Sequence, residues 1–478
     1  MFVIGLDVGT TGTKAILFDE TGKIHGQGYL EYDLNVRPGG YVEQSAKDWK
    51  KAIVHAVRTA CRDVAPESVA AIGLSTQGSS LAVCDSVSEA DNVITWMDGR
   101  AVAEAETLAT AFGPDGMYRK SGWPSAPGGD ASKILWLKNR GMLTGKEKFV
   151  STLSYANHFL TGRYATDPTN GAIRQLFSVP ERKWDEEILS HLGITEESLP
   201  EVLPTGALVG NLTKEAAGEL GLTEAVQVFN GAHDQYCAAL GCGAVRPGDM
   251  MLATGTTWVV LGVTDQLRYT KSHICPGVHP AGGYGAMASQ VNAGSALKWW
   301  HSQTGDSYKA FDEEAQKRQE SAADLFWVPY LAGSGFPDPD PEKRSRIVGL
   351  SLHHDKYDLA RALMEGVAFE TRRVMEEYTR EGISADRLMM TGGATRSAFW
   401  SGIVAAVLSE CSVFVSDCSD TSCLGAAMIA AVGCGMYSSF REAGVMGALR
   451  ELERPDPEVI DYYQKKYETY CRILKSTY

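Results

Sequence analysis

The sequence predicts an α/β protein built from two similar halves that face each other across a cleft. Three observations support this prediction. A phrase centred on Gly-Thr-Thr occurs twice, within Asp7–Lys14 and within Met250–Thr257. The two copies lie about half of the 478 residues apart, and strand-like apolar runs alternate with helix-like stretches in both halves. A chain of this length is expected to form two or three domains.

Each copy of the phrase lies between two apolar runs, which is typical of a β-hairpin. The first hairpin is predicted over residues 2–8 and 14–19, and the second over residues 250–262. Glycine allows backbone amides to approach a ligand, and threonine adds hydroxyl donors. The two hairpins therefore predict a nucleotide whose phosphates are held between the halves.

The rest of the first half shows strands and helices in alternation. A turn at Asp19–Lys23 precedes a strand near 24–32, and Ser45 can cap a helix over 45–63. The other predicted elements are strands at 69–74, 81–84 and 226–230, helices near 101–112, 130–140, 150–160, 185–192 and 235–242, and a loop with a short helix at 206–221.

The second half repeats this order after its hairpin. Its predicted elements are strands at 284–290, 387–390 and 412–416, and helices at 294–301, 355–380, 397–409 and 422–435. Proline and glycine cluster at 329–341, which favours a surface loop. The domain boundary is predicted near 235–250.

Composition narrows the classes of function. The hydrophobic fraction of 44% and the charged fraction of 22% are those of a soluble globular protein. A net charge of −14 argues against nucleic acid or an anionic membrane as a partner. The apolar start is interrupted by Asp7, no secretory signal or membrane-length run is visible, and the ten cysteines show no zinc-ligand pairing. These features predict that the protein is located in the reducing cytoplasm.

Two glycine-rich segments are candidate nucleotide sites. In a phosphate clamp, Asp7 would lie at a strand end, where a carboxylate can hold a Mg²⁺ ion that bridges phosphate oxygens. The alternative is a plain hairpin with a turn-stabilising aspartate, which the second copy at Gly255 disfavours. Gly392–Ala394 lies at a strand-to-helix junction, where the backbone can pack against adenine or ribose or can simply form a tight turn.

Asp234 is the candidate catalytic residue. It follows an apolar strand and precedes a small-residue helix near the boundary, so its carboxylate can accept a proton from a sugar hydroxyl. The alternative is an N-cap for the helix at 235–242. The neighbouring His233 is interpreted as a structural hydrogen-bonding residue.

Two further segments can line a sugar pocket. Trp96–Arg100 contains an aromatic ring, an acid and a base, which can line a sugar pocket. The alternative interpretation is a capped turn with a surface ion pair. Gln77–Ser80 follows a buried strand, where ligands of α/β sheets usually bind. The sequence contains no GxxxxGK[ST], no HRD and DFG pair, no HExxH and no G-x-S-x-G, which excludes P-loop and protein kinases.

With these residues the chain resembles the FGGY family of carbohydrate kinases, within the actin-like, ribonuclease-H-like ATPase superfamily. The resemblance covers nearly the whole chain. It rests on six segments in the family's order: Asp7–Lys14, Tyr41–Gln44 with Trp49, Trp96–Arg100, Gly231–Gln235, Thr254–Thr257 and Gly392–Ala394.

The resemblance implies two ribonuclease-H-like domains hinged around a central cleft, a sugar-binding domain over 1–243 and an ATP-binding domain over 244–478. It implies Asp234 as the catalytic base and Mg²⁺ near Asp7 and Asp234. The implied ATP-binding residues are Gly9, Thr10, Thr11, Gly12, Lys14, Gly255, Thr256, Thr257, Gly294, Gly393, Ala394 and Ser397. The implied sugar-binding residues are Gln77, Gly78, Ser79, Trp96, Asp234 and Gln235. Family members are often homodimers, although the sequence shows no interface signature.

Within the family the pattern is most similar to the xylulokinases, which implies ATP-dependent phosphorylation of a small sugar such as the pentulose xylulose. Xylulokinases carry a Met-His pair after the glutamine of the Gln77 loop, and glycerol kinases carry Arg-Glu. Here Gly78 and Ser79 predict a roomier pocket, which disfavours glycerol and leaves D-xylulose open. An L-ketose, a ribulose, a tetritol or an aldonate are alternative substrates. A non-catalytic nucleotide sensor is the alternative from another class, but it would not need the acid at 234.

Overall fold

The computed structural model describes residues 1–84 and 92–478. The strands of the first half are β1 (Phe2–Val8), β2 (Gly12–Phe18), β3 (Ile24–Glu31), β4 (Asn35–Arg37), β5 (Tyr41–Gln44), β6 (Val69–Thr76), β7 (Leu81–Cys84), β8 (Val93–Ile94), β9 (Lys148–Val150), β10 (Ala165–Thr166), β11 (Phe177–Ser178), β12 (Lys183–Trp184), β13 (Glu201–Val202), β14 (Leu208–Asn211) and β15 (Gln227–His233). Its helices are α1 (Ala46–Ala60), α2 (Val102–Phe112), α3 (Gly116–Ser121), α4 (Asp130–Asn139), α5 (Thr152–Thr161), α6 (Pro168–Ile173), α7 (Glu186–Leu192), α8 (Lys214–Leu220) and α9 (Asp234–Gly241).

The strands of the second half are β16 (Asp249–Thr254), β17 (Trp258–Thr264), β18 (Cys275–Val278), β19 (Tyr284–Gln290), β20 (Phe326–Val328), β21 (Arg346–Val348), β22 (Arg387–Gly392), β23 (Ser412–Ser416) and β24 (Leu449–Glu451). Its helices are α10 (Gly294–Thr304), α11 (Tyr308–Ala315), α12 (Lys356–Arg380), α13 (Ala398–Val407), α14 (Thr421–Gly433), α15 (Phe440–Ala443) and α16 (Pro457–Thr477). Short 3₁₀ turns lie at Pro66–Ser68, Glu196–Ser198, Gln316–Arg318, Gly393–Arg396 and Gly444–Met446.

The main sheets of the two halves share one pattern. The first has the order β14-β15-β6-β1-β2-β3, and the second has the order β18-β19-β17-β16-β22-β23-β24. In each sheet a hairpin, β1–β2 or β16–β17, is extended by an antiparallel strand on one side and by two parallel strands on the other. This repeated arrangement confirms the predicted fold of two ribonuclease-H-like domains around a cleft.

The predicted hairpins and main helices are present with shifts of a few residues at their ends. Residues 206–221 differ from the prediction, because β14 forms there before α8. β14 pairs with β15 through a register shift, and pairing with a distant strand is not visible in local sequence. Within the described ranges no helix is both long enough and apolar enough to span a bilayer.

Helices α9 and α14 join the two halves. α14 follows a strand of the second sheet but packs against β1 and β6 of the first, where a Cβ on Gly5 would lie 1.8 Å from the Cys423 carbonyl oxygen. A Cβ on Gly73 would lie 1.9 Å from the Ala426 oxygen. Side chains are therefore impossible at these glycines without moving α14. The result is one buried apolar cluster that draws residues from both sheets, from α9 and from α14.

Candidate active site

The first hairpin turn is held rigidly from outside. The Gly9 amide donates to the Gly12 carbonyl at 3.0 Å, which closes the turn. The Tyr32 hydroxyl donates to the Gly9 carbonyl, and the Gln44 amide donates to the Thr10 carbonyl. Because hydrogen bonds from Tyr32 and Gln44 hold these carbonyls, the conformation of the turn Gly9–Thr11 is fixed before any ligand binds.

Thr10 connects this turn to the predicted sugar-binding residues. Its hydroxyl donates to Oε1 of Gln77 at 3.1 Å and accepts from Nε1 of Trp96 at 2.9 Å. Gln77 is buried, whereas Trp96 is 48% exposed. The indole therefore presents a free face beside the phosphate hairpin, and residues predicted for two ligands lie together.

Gly78 and Ser79 do not form an open pocket. Ser79 has a φ of 48° and donates to the Gly128 carbonyl and to Asp130. A Cβ on Gly78 would lie 2.8 Å from Cδ2 of His233 and equally close to Ile173. The expectation of a roomier pocket is therefore wrong at these residues, because other side chains fill the space.

Asp98 and Arg100 hold the turn that carries Trp96. Asp98 is buried and accepts from the Val42 amide and from the Arg100 guanidinium, which also contacts Glu43. The Arg100 side chain is only 5% exposed. The pair is thus an internal ion pair, neither a surface one nor a contact for sugar hydroxyls.

Asp234 is the first residue of α9, and His233 occupies the N-cap position without a side-chain cap hydrogen bond. Asp234 is therefore not an N-cap. Among the described residues, its buried Oδ1 has no hydrogen-bond partner, and the same is true of Nδ1 of His233 and Oε1 of Gln235. Nε2 of His233 lies 3.1 Å from Oδ1 of Asp234, without hydrogen-bond alignment. Three consecutive residues thus carry buried polar atoms without a hydrogen-bond partner in the described parts of the chain, which is unusual in a folded protein.

Asp7 lies near the end of β1 and accepts a hydrogen bond from Ser75 at 2.6 Å. Burial raises the pKa of Asp7 to about 7, and the charge of Asp234 adds to this effect against the opposing hydrogen bond. Asp420 raises it further, and Lys14 lowers it. The charges of Asp234, Asp420 and Lys14 thus all act on Asp7, but the described residues contain no group of three or more side chains that could hold a metal ion by itself. Mg²⁺ needs only one or two carboxylates plus phosphate oxygens, so Asp7 can serve as a ligand together with a bound nucleotide.

The second hairpin turn, Gly255–Thr257, lies at the start of α10. The Ser295 amide donates to the Thr256 carbonyl at 2.9 Å. A Cβ on Gly294 would lie 2.1 Å from the Gly255 carbonyl oxygen, so glycine is required for this approach. The N-terminus of α10 thus packs directly against the turn, and its Ser295 amide is used by the turn.

The third glycine-rich segment lies beside this hairpin. The Ala394 amide donates to Oγ1 of Thr254, and the Ala394 methyl group is buried, whereas Gly393 is exposed. Ser397 caps α13 and donates to Asp312 at 2.7 Å. Of these residues, Gly393 is therefore the one whose surface is open to a nucleoside.

Lys14 is bound by a residue that no motif identifies. Its ammonium contacts Asp420, which lies in the second half, 406 residues away. In the sequence Asp420 precedes a small-residue helix and is indistinguishable from an N-cap. Its position beside the phosphate hairpin is visible only in three dimensions.

The chain matches two family models. The N-terminal domain of the FGGY family of carbohydrate kinases matches residues 2–241, and the C-terminal domain of that family matches residues 250–434. The xylulose kinase of Bacillus subtilis (strain 168) is 26% identical over 100% of this chain and 96% of its own length. The glycerol kinase of Thermococcus kodakarensis is 28% identical over 95% of this chain and 93% of its own length. The crystal structure of gluconate kinase from Lactobacillus acidophilus has a TM-score of 0.91 at 26% identity and covers 99% of this chain and 98% of its own.

Proposed function

Because this chain belongs to the FGGY family of carbohydrate kinases, we propose that it transfers the γ-phosphoryl group of ATP to a hydroxyl of a small neutral ketose. Xylulose is the first candidate, since xylulose kinases are among the relatives that match the whole chain. The observation that carries the proposal is the unpartnered carboxylate oxygen of Asp234, which lies at the end of β15 close to the first phosphate hairpin.

The proposed chemistry is in-line phosphoryl transfer. The substrate oxygen forms a bond to the γ-phosphorus while the bond to the β–γ bridging oxygen breaks, and ADP leaves with that electron pair. Asp234 accepts the hydroxyl proton. Asp7 and Asp234 would hold Mg²⁺, which would neutralise charge on the phosphate oxygens. The turns Gly9–Thr11 and Gly255–Thr257 would orient those oxygens.

The charged side chains around the Gln77 loop form ion pairs with one another. Arg100 is paired with Asp98, and Lys133 and Arg174 are both paired with Asp130. Because Lys133 and Arg174 share one carboxylate, their two positive charges are only half compensated by it, and the preference for a neutral ketose rests on the relatives. An aldonate is the second candidate, because a gluconate kinase is among the similar structures.

We also propose a domain boundary between residues 243 and 244. The support is that α9 ends at Gly241 and β16, the first strand of the second sheet, begins at Asp249. The first half would contribute most of the sugar site, and the second half most of the nucleoside site.

ADP release from Mg-ATP tests the proposal against both xyluloses, both ribuloses, glycerol, erythritol and gluconate. We expect one ketose to give turnover and Asp234→Asn to lower it by about 10²- to 10⁴-fold, the usual contribution of a general base. ATP binding by the variant should survive. Turnover with gluconate alone would select the aldonate. ATP hydrolysis indifferent to every sugar and to the substitution would overturn the kinase assignment.

A further inference from the structure

Asp420 lies at the N-cap of α14 but makes no cap hydrogen bond with its side chain. An aspartate at this position usually caps the helix. Its carboxylate instead contacts the ammonium of Lys14 on β2, and both side chains are only partly exposed. The helix cap is thus given up for a contact between the two halves.

Lys14 is also the cross-strand partner of Asp7. Directly opposed side chains in antiparallel strands are close enough to interact, so an unrestrained ammonium would pair with the Asp7 carboxylate. In the structure the ammonium contacts Asp420, while its charge still acts on Asp7 and lowers the pKa of that carboxyl. Although partial burial opposes the effect, the hydrogen bond and charge of Asp420 raise the pKa of Lys14, so the group stays charged.

We propose that Asp420 is a positioning residue that acts through Lys14 and holds its ammonium where the phosphates of ATP bind. An ammonium has three N–H donors. Within the described residues Asp420 uses one of them, which leaves two for phosphate oxygens. Because Asp420 belongs to the second half and Lys14 to the first, the contact also fixes the ammonium relative to both phosphate hairpins. The proposal rests on the kinase function proposed above.

An ion pair with only a structural role would affect stability, whereas the proposed positioning role would affect the rate of phosphoryl transfer. A partly exposed ion pair contributes little to stability. Misplacing a phosphate-binding cation, in contrast, can slow transfer by about 100-fold. Asp420→Asn is therefore expected to lower kcat by about 10- to 100-fold while the KM for the sugar and the melting temperature change little. Asp420→Glu should restore most of the rate.

A double-mutant cycle tests whether Asp420 acts through Lys14. We expect Asp420→Asn to have no further effect once Lys14→Met is present. The matched control is Asp417→Asn, an exposed carboxylate three positions earlier that loses the same charge. Multiplied losses in the double variant, an equal loss in the control, or a fully active Asp420→Asn would each overturn the proposal.

A binding measurement separates this proposal from the kinase function. Calorimetric titration with magnesium and the non-hydrolysable β,γ-imido analogue of ATP needs no sugar. We expect Asp420→Asn to weaken binding by about 10-fold in the wild-type background and not in Lys14→Met. If the wild-type protein binds no nucleotide, the proposed function fails. If it binds and Asp420→Asn binds equally well, only the role of Asp420 fails.

Discussion

The imidazole of His233 fills the space that a side chain at position 78 would need. A Cβ on Gly78 would lie 2.8 Å from Cδ2 of that ring. The ring in turn lies against the Asp234 carboxylate, with 3.1 Å between Nε2 and Oδ1. Because Gly78 has no side chain, the His233 ring can lie beside Asp234, the proposed base.

Gly78→Ala is expected to lower kcat/KM for the best sugar by about 10-fold, because the new methyl group displaces His233 from Asp234. The effect should nearly disappear in a His233→Ala background, where space is available. Steady-state kinetics of the two single variants and the double variant provide the check. An equal loss in both backgrounds would show that the contact with Ile173 transmits the effect instead.

Asp7→Asn is expected to stabilise the ligand-free protein above pH 7 and to lower turnover by at least about 100-fold. The pKa of Asp7 is raised from 3.8 to about 7 in the folded state. Between these values the unfolded chain loses the proton first, so stability falls as pH rises through this window. Below pH 4 both states are protonated and the effect vanishes.

Urea unfolding of wild type and Asp7→Asn at pH 4, 6 and 8 measures this difference. The stability advantage of the variant should grow from pH 4 to pH 8. A constant advantage would mean that the pKa of Asp7 does not differ between the folded and unfolded states. Full activity of the variant with Mg-ATP would remove Asp7 from the proposed metal site.

Gly294→Ala is expected to destabilise the protein by about 1–3 kcal/mol and to raise the KM for ATP, because its Cβ would overlap the Gly255 carbonyl. Gly402→Ala on α13 is the matched control, since no atom of the described residues lies within 4 Å of its Cβ. It should stabilise the helix by roughly 0.5–1 kcal/mol. Thermal unfolding with and without ATP distinguishes the two. Shifts of the same sign would contradict the predicted overlap.

His279→Asn is expected to reduce the acid sensitivity of folding. Burial lowers the pKa of His279 from 6.5 to about 4. Between these values the unfolded state binds a proton that the folded state excludes, so stability is lost as pH falls, by up to about 1.4 kcal/mol per pH unit. Asparagine can accept the Ala281 amide hydrogen bond that the imidazole accepts.

The measurement is the difference in unfolding free energy between pH 5 and pH 7.5 for both proteins. The variant should lose less stability than the wild type over this interval. Equal losses would assign the acid sensitivity to other groups.

Features set by local pattern are predictable from the sequence. The two hairpins follow from apolar runs around glycine, and Ser45 caps α1 as predicted. The C-terminal helix α16 has a local signal too, with proline at its start and buried tyrosines at 463, 467 and 470, although it is not among the predicted elements.

Features set by distant pairing are not predictable in this way. Asp420 reads as a helix cap because its partner is 406 residues away. The sequence around Asp98 and Arg100 is compatible with a surface ion pair, because β5, the strand that covers the turn, is far from it in the sequence. The side chains that fill the space over Gly78 are His233 from β15 and Ile173 from α6. No local sequence pattern relates these elements to the Gln77 loop.

The contacts of Gly5 and Gly73 with α14 limit how this enzyme can be taken apart. A fragment ending at residue 243 would lack α14 and would expose the apolar face of β1 and β6, while the complementary fragment would carry α14 with nothing to cover it. The first half therefore cannot be exchanged between relatives as an N-terminal fragment alone. A chimera that exchanges the first half between relatives must also carry the matching α14, although it comes nearly two hundred residues later in the gene.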